Sequence, residues 1–500
     1  MTNVPDPIAP PLSERVRTAL FWRSGSQILA QIVMWGSTIV VVRLLDPHDY
    51  GLFAMTQVVL ALFNFLNGYS FASALVQADS INDRRIAQVF GLLILLNVGL
   101  AIVQFFAAPI AAAYFRQPMI ADLLRVQSLL YLATPFIALP SAILARGLEF
   151  KMQAASNMAG ALAGAVTAFA CAWWGLGVWT LVAAPLALFY VRAIGLTYAA
   201  RTFIWPSFNF TGARHMFTFG GALVLCQLFW IVQSQSDIFF AGRHFSPHDL
   251  GLYAEALFVT LIFTGKFIPP LNEVAFPAYA NLAKEGGHVG DAFITSARLT
   301  MFVALPLYFG MAVIAEPLVT TLFGVKWTGM APIVSGLAIA MPFFALQILC
   351  SPATNALGLP QVYIKSSIAG AIIMPVAFLV GLRWGVTGLV HAWQVASPLL
   401  LIVTLMLTLP VIGADWRKLA AGLVPTVVAA GTMALIVYVV SLYTRALPPP
   451  ITVVLLGAIG AACYIGLLWC FARPILDQII GMIIHKRPLI AQTDSRDQAL

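Results

Sequence analysis

Long apolar runs are the feature of this sequence that most constrains its fold. About fourteen stretches, each long enough to form a helix across a membrane, follow one another with short polar segments between them. Only 9% of the residues are charged, against about 25% in soluble domains. The sequence therefore predicts an all-α integral membrane protein with about 14 transmembrane helices, and twelve spans remain the alternative.

Basic residues predict the orientation of these spans. If the N-terminus lies in the cytoplasm, nineteen of the 27 Lys and Arg residues fall in cytoplasmic segments and six fall on the opposite side. Such an excess marks the cytoplasmic side of a bacterial inner-membrane protein. We therefore expect a multi-pass protein of the inner membrane with both termini in the cytoplasm. The net charge of +8 is explained by these loops, and no nucleic-acid partner is expected.

The chain repeats itself at an offset of 200 residues. Residues 43–54 read RLLDPHDYGLFA and residues 243–254 read RHFSPHDLGLYA, so both copies share Pro-His-Asp, Gly-Leu, an aromatic residue and Ala. The shared turn residues are Pro47, Asp49 and Gly51 in the first copy, and Pro247, Asp249 and Gly251 in the second. Pro-His-Asp-x-Gly is also ordinary turn chemistry, but the match extends beyond the turn. It indicates two parallel halves, a design in which transporters alternate access by rocking one half against the other.

The repeat divides the chain into six predicted segments. The outer ones are a disordered cytoplasmic N-terminus and a cytoplasmic tail. The inner ones are two pseudo-symmetric six-helix bundles, an interfacial linker between them and an additional helix pair. In chain order the segments are 1–17, the first bundle 18–198, the linker 199–215, the second bundle 216–410, the helix pair 411–485 and the tail 486–500.

The turn sequences resemble those of a known family. RLLDPHDYGLFA, followed by GYSFASALVQ at 68–77, is similar to the opening of Wzx-type polysaccharide and O-antigen flippases, which belong to the polysaccharide transporter family. The similarity is strongest to the colanic-acid and succinoglycan exporter branch. The wider superfamily of multidrug, oligosaccharidyl-lipid and polysaccharide (MOP) exporters also includes lipid II flippases.

The resemblance implies a function and a fold. It implies a V-shaped pair of helical bundles that flips undecaprenyl-pyrophosphate-linked oligosaccharide units from the cytoplasmic to the periplasmic leaflet, as part of lipopolysaccharide or exopolysaccharide biosynthesis. A flippase of this kind is not an enzyme. Two other interpretations are a multidrug or cation antiporter of the same superfamily and a membrane glycan polymerase or ligase. The predicted intramembrane cations Arg23 and Lys266 argue against a cation antiporter. The short predicted outer loops argue against a polymerase or ligase.

Polar side chains in the first two spans are candidate glycan ligands. Arg23, Gln27 and Gln31 recur every four residues and therefore share one face of a helix. A cation with two amides suits a phosphate and sugar hydroxyls, although Arg23 also fits a simple cytoplasmic anchor. Gln57 and Asn64 in the second span suit either sugar contacts or helix packing.

The seventh span is polar in its second half. Gln227, Ser234 and Asp237 are predicted to share a face that looks toward protein or water, because lipid would not tolerate it. We expect Gln227 and Ser234 to line a cavity. Asp237 is a candidate for coupling to an ion, and a pair with Arg243 is the alternative.

The eighth span carries an isolated lysine near its middle. Lys266 is a candidate ligand of the pyrophosphate, although it could also pair with Asp237 or Glu273. Glu255 and Glu273 are further ion-coupling candidates, and Glu255 would alternatively cap the helix.

The expected partners are the lipid-linked oligosaccharide, membrane lipids and polysaccharide polymerase or co-polymerase machinery. No cofactor is expected beyond a coupling proton or sodium ion. The cysteines form no C-x-x-C pair, so no metal site is predicted.

Overall fold

The computed structural model describes most of the chain. The described ranges are 29–64, 66–67, 82–147, 149–202, 204–209, 221–444, 446–471 and 473. They form two compact units. The first contains the described residues up to Gln227 together with Phe245–Gly251, and the second contains Leu228–His244 and the described residues from Leu252 onward.

Every regular element of the described residues is a helix. The elements up to the central linker are α1 Leu29–Leu44, α2 Pro47–Asn64, α3 Asp83–Phe115, α4 Met119–Gln127, α5 Leu129–Ala133, α6 Pro135–Arg146, α7 Phe150–Trp173 and α8 Trp179–Ala199. Those after it are α9 Gly221–His244, α10 Pro247–Lys284, α11 Val289–Val313, α12 Ala315–Leu322, a 3-10 turn Val325–Met330, α13 Ala331–Ile348, α14 Cys350–Ala356, α15 Pro360–Gly381, a 3-10 turn Leu382–Trp384, α16 Gly385–Ile412, α17 Trp416–Tyr443 and α18 Pro449–Phe471.

The described residues contain ten helical stretches that are long and apolar enough to cross a membrane. One of them, Pro360–Ile412, is 53 residues long and includes both α15 and α16. Large apolar side chains lie on the surface of these helices, such as Phe106 and Ile110, each 73% exposed, as expected where helices face hydrocarbon. The prediction of a multi-pass all-α membrane protein is confirmed, and the total of fourteen spans stays a prediction.

One of the apolar runs that the sequence predicts as a single span, residues 120–145, is interrupted in the structure. Three short helices, α4, α5 and α6, replace one continuous helix. The second interruption comes directly before Pro135, which has no N–H to donate to the preceding turn, while Thr134 itself keeps helical dihedral angles. The three helices together still form one apolar stretch of 28 residues.

The two copies of the repeat have the same local structure. α1 ends at Leu44 and α9 ends at His244, while α2 and α10 begin at Pro47 and Pro247. In the first copy, the Asp49 carboxylate accepts from the Asp46 backbone N–H at 3.3 Å. In the second, the backbone N–H of Asp249 donates to Ser246 Oγ at 3.1 Å, and Ser246 Oγ donates to the Asp249 carboxylate at 2.8 Å. Both are versions of a capping box, so the repeated aspartates start their helices.

The two glycines of the repeat lie against each other's turn within the first unit. A Cβ on Gly51 would overlap the carbonyl oxygen of Pro247, and a Cβ on Gly251 would overlap that of Pro47. Residues 245–251 belong to the first unit by their contacts. The repeat therefore needs glycine at both positions because the backbones approach too closely for any side chain.

Small residues allow the helices of the first unit to pack closely. On α7, a Cβ at Gly160 would lie 2.9 Å from the Leu188 carbonyl oxygen, and one at Gly164 would lie 3.0 Å from Leu188 Cβ. A Cβ at Gly195 on α8 would lie 3.0 Å from Ser156 Oγ on α7. Such small-residue interfaces are typical of membrane helices, where van der Waals packing between closely approaching backbones stabilises association.

Part of the predicted linker lies along the start of α3. The backbone N–H of Ser207 donates to the Ala87 carbonyl at 2.9 Å, and the Gln88 amide donates to the Asn209 carbonyl at 2.8 Å. Trp205, two residues before Ser207, is 89% exposed. Residues 210–220 lie outside the described residues, so the structure leaves the full linker 199–215 and the other predicted segment borders as predictions.

Candidate functional site

α10 carries three charged side chains along one face. Glu255, Lys266 and Glu273 are 11 and seven residues apart, spacings that bring side chains back to nearly the same side of an α-helix. Lys266 and Glu273 are exposed, while Glu255 is half-buried. The helix remains continuous past Pro269 and Pro270. Lys266 therefore lies between two carboxylates, about 16 Å from the first and about 10 Å from the second along the axis.

Glu255 is not a helix cap. It is the ninth residue of α10, two turns beyond the aspartate that starts the helix. No partner of its carboxylate is found among the described residues. The alternative interpretation of Glu255 as a helix cap was wrong, and Asp249 has that role. A half-buried carboxylate without a partner is costly inside a membrane, so Glu255 keeps its place among the ion-coupling candidates.

Asp237 does not share the face of Gln227 and Ser234. Gln227 is exposed and Ser234 is half-buried, whereas Asp237 is fully buried within the second unit. From Gln227 to Asp237 the helix turns through ten residues and ends about 80° short of three full turns. This offset is enough to move Asp237 from the accessible side to the interior. The shared face predicted for the three residues was wrong for Asp237.

The Asp237 carboxylate ends a chain of hydrogen bonds through three helices of the second unit. The Trp393 indole N–H of α16 donates to the Tyr253 hydroxyl of α10 at 2.8 Å. That hydroxyl donates to Asp237 Oδ2 of α9, also at 2.8 Å. The backbone N–H of Ile238 donates to Oδ1 at 2.7 Å. The predicted alternative of an Asp237–Arg243 pair is replaced by this network, which supplies neutral donors to a buried acid.

Further polar groups lie on the buried side of α9. The Gln233 amide donates to Gln347 Oε1 of α13 at 3.4 Å. Gln233 Oε1 is buried and accepts no hydrogen bond from any residue that the structure describes, and the same holds for Ser236 Oγ one turn later. Gln233 and Ser236 therefore add unsatisfied oxygen atoms to the helix that carries the Asp237 carboxylate. Oxygen atoms of this kind suit a proton or a hard cation such as sodium.

Tyr253, Trp393 and Gln347 were not identified from the sequence. One signal in the repeat points to the first of them. At the positions 200 residues earlier, Tyr253 corresponds to Phe53 and Asp237 corresponds to Ser37. The acid and the hydroxyl that binds it therefore occur together in one copy and are both missing from the other, as expected for two groups in contact.

The candidates in the first two helices are only partly described. Gln31 and Gln57 are half-buried and Asn64 is exposed near the end of α2. Arg23 and Gln27 lie outside the described residues, as does the motif at 68–77. The sugar-binding role of this group stays a prediction.

A different polar cluster lies in the interior of the first unit. The Gln127 amide donates to Thr56 Oγ1 at 3.0 Å, and the Tyr131 hydroxyl donates to Gln104 Oε1 at 2.9 Å. The Gln104 amide in turn donates to the Leu124 carbonyl at 2.8 Å. These hydrogen bonds tie α2, α3, α4 and α5 together, which indicates a structural role.

Among the described residues, no three His, Cys, Asp or Glu side chains lie close enough together to hold a metal ion.

Comparison with known proteins identifies relatives across most of the chain. A family model described as "Polysaccharide biosynthesis protein" matches residues 40–332, more than half of the sequence. The succinoglycan biosynthesis transport protein ExoT of Rhizobium meliloti is 24% identical over 93% of this chain and 96% of its own length. The lipopolysaccharide biosynthesis protein WzxC of Escherichia coli is 22% identical over 60% of this chain and 61% of its own.

Solved structures show the same fold. A lipid II flippase, MurJ, in an inward closed conformation has a TM-score of 0.74 and 13% identity, covering 91% of this chain and 99% of that chain. A multidrug resistance MATE family transporter of the MOP superfamily, in an inward-facing conformation, has a TM-score of 0.61 and 14% identity, covering 79% and 98%. At these identities the similarity concerns the fold alone.

Proposed function

The chain belongs to the polysaccharide biosynthesis protein family, and we propose from this that it flips undecaprenyl-pyrophosphate-linked oligosaccharide units across the membrane by alternating access. The resemblance found in the repeat turns is confirmed by the family match at residues 40–332. The observation that carries the proposal is the similarity to the succinoglycan biosynthesis transport protein, which extends over nearly the full length of both chains.

Lys266 supports a phosphate-bearing cargo. It is exposed on a membrane-spanning helix, where a cation is costly unless it has a function. A lysine ammonium is a compact charge that binds phosphate oxygens without a fixed orientation. We assign the pyrophosphate to Lys266, and Glu255 and Glu273 remain ion-coupling candidates.

The proposal can be tested with purified protein in vesicles. A fluorescent undecaprenyl-pyrophosphate oligosaccharide is loaded, and a membrane-impermeant glycosidase reports the fraction in the outer leaflet over time. We expect Lys266→Ala to lower the flipping rate about tenfold or more, because a charge-assisted bond contributes about 1.5–3 kcal/mol. Lys266→Arg should retain much of the rate.

The matched control is Lys365→Ala, an exposed lysine near the start of α15. It should leave the rate unchanged. If the wild-type protein does not speed transfer above protein-free vesicles, the proposed function is wrong. If Lys266→Ala flips as fast as wild type, only the role of Lys266 is wrong.

We also propose that a proton or a sodium ion drives transport through Asp237. A fully buried carboxylate held only by neutral donors is destabilised by desolvation, and a bound cation would relieve this. The buried oxygens of Gln233 and Ser236 add acceptors on the same side of α9. Asp237→Asn should abolish the response of flipping to an imposed sodium or proton gradient while leaving gradient-independent exchange. A variant that still responds to both gradients would contradict this.

The basic residues support the orientation. With nineteen of 27 in cytoplasmic segments, we propose an inner-membrane protein with both termini in the cytoplasm. A C-terminal green fluorescent protein fusion should fluoresce, and a C-terminal alkaline phosphatase fusion should be inactive. The opposite pattern would contradict the orientation.

The cargo should leave the protein chemically unchanged and reach a polymerase or co-polymerase on the outer side. We therefore expect the mass of the glycolipid to be identical before and after transfer. A change in mass would indicate catalysis, and transport of cationic drugs with no glycolipid transfer would indicate an antiporter.

A further inference from the structure

A groove in the first unit lies where α6 and α8 end and α7 begins. It has a volume of about 850 Å³ and contains none of the candidate residues of the transport site. Part of its lining is apolar. The apolar residues are Ile143, Leu144, Met152, Ala199 and Ala200.

Two opposite charges line this groove without pairing. Glu149 lies directly before α7, and Arg201 follows the end of α8. Both side chains are exposed, and neither forms an ion pair or a side-chain hydrogen bond with another described residue. Arg201 is also one of two non-glycine residues in the described part of the chain with a positive φ, at 49°. Its turn is fixed by a bond from its backbone N–H to the Tyr198 carbonyl at 3.2 Å.

The groove lies at the ends of membrane-spanning helices. The stretches Met119–Arg146, Phe150–Trp173 and Trp179–Ala199 are each apolar enough to cross the bilayer, and the groove lies at one end of all three. Tyr198, which lines it, is 75% exposed, and Trp205 follows shortly after. Exposed Tyr and Trp are typical of the border between hydrocarbon and headgroups. An occupant would therefore meet acyl chains on one side and headgroups on the other.

We propose that this groove binds a phosphatidylethanolamine molecule of the surrounding leaflet. Its phosphate would be held by Arg201, its ammonium by Glu149, and its acyl chains would lie on the apolar walls. A zwitterion with hydrogen-bond donors matches both charges of the groove. An anionic phosphatidylglycerol would meet repulsion from Glu149, and the methylated ammonium of phosphatidylcholine has no proton to donate to a carboxylate.

The test is native mass spectrometry of the full-length protein in detergent. Palmitoyl-oleoyl lipids with ethanolamine, glycerol or choline headgroups are titrated separately, and apparent Kd values are compared. We expect ethanolamine to bind at least about fivefold more tightly than the other two, and stepwise N-methylation to weaken it, since charge-assisted hydrogen bonds are lost. Equal affinities for the three headgroups would overturn the proposal without any variant.

Two substitutions separate the roles of the charges. Arg201→Gln should weaken all three lipids about fivefold or more, whereas Glu149→Gln should weaken ethanolamine alone and remove its advantage over choline. Arg383→Gln, at an exposed arginine in the 3-10 turn after α15, is the control and should change nothing. Unchanged ethanolamine binding in both groove variants would also overturn the proposal.

Discussion

The hydroxyl of Tyr253 donates to the carboxylate of Asp237 at 2.8 Å, and both side chains are fully buried. A charged group is stable in such a place only when donors or a cation compensate for lost solvation. Tyr253 provides one donor and is itself oriented by Trp393. This pair therefore helps to stabilise the Asp237 carboxylate in the interior of the second unit.

Tyr253→Phe should destabilise the protein by about 1.5–3 kcal/mol, because it leaves a buried carboxylate short of a donor and the Trp393 N–H without an acceptor. The measurement is thermal unfolding in detergent, with and without sodium. We expect sodium or low pH to recover part of the loss, because either cation neutralises the acid. Tyr443→Phe, at an 84% exposed tyrosine, is the matched control and should be neutral. Equal stability of the two variants would show that the hydrogen bond contributes nothing.

Thr56→Val should destabilise the first unit by about 1–3 kcal/mol. The Thr56 hydroxyl accepts from the Gln127 amide at 3.0 Å, and Gln127 Oε1 already has no partner in the described part of the chain. Valine would leave the rest of this buried amide unsatisfied, which costs more than the bond itself contributed. Thr38→Val is the control, because among the described residues this hydroxyl bonds only the Met34 carbonyl of its own helix. The measurement is thermal unfolding of the two variants side by side. Equal unfolding midpoints would contradict the predicted loss of stability.

Local features of this chain could be predicted from the sequence. The helix starts at Pro47 and Pro247 could be predicted, because proline and a following aspartate start a helix through contacts within four residues. The apolar runs likewise fix where most helices lie, since a stretch that cannot meet water must pair its own backbone groups. These signals depend on neighbours in the sequence, so the structure changed only details, such as the interruption before Pro135.

The burial of Asp237 could not be predicted in the same way. Its position in the interior depends on Tyr253 and Trp393, the latter more than 150 residues away. Periodicity assigned Asp237 to the face of Gln227 because all three polar residues were treated as one stripe. The side of a polar helix that is buried is decided by the other helices packed around it, and periodicity alone does not contain that information.

Gly51→Ala and Gly251→Ala should each destabilise the first unit by about 1–3 kcal/mol. In both cases the added Cβ overlaps a backbone carbonyl, which cannot move aside as a flexible side chain would. Because the two contacts are reciprocal, the double variant should cost less than the sum of the single ones. Gly99→Ala on α3 is the control, since nothing lies within 4 Å of its Cβ position. Additive losses in thermal unfolding would show that the two glycines act independently.

Gly91→Ala should detach the linker from α3. A Cβ at Gly91 would overlap the carbonyl oxygen of Ser207, whose backbone N–H is bonded to Ala87 on the same helix. The linker backbone must then move away, and the Gln88 bond to Asn209 is lost with it. Hydrogen exchange of residues 204–209 should become faster by about tenfold, the equivalent of about 1.4 kcal/mol. Gly99→Ala, eight residues later on the same helix, should leave this exchange unchanged, and identical protection in the two variants would show that α3 does not hold the linker.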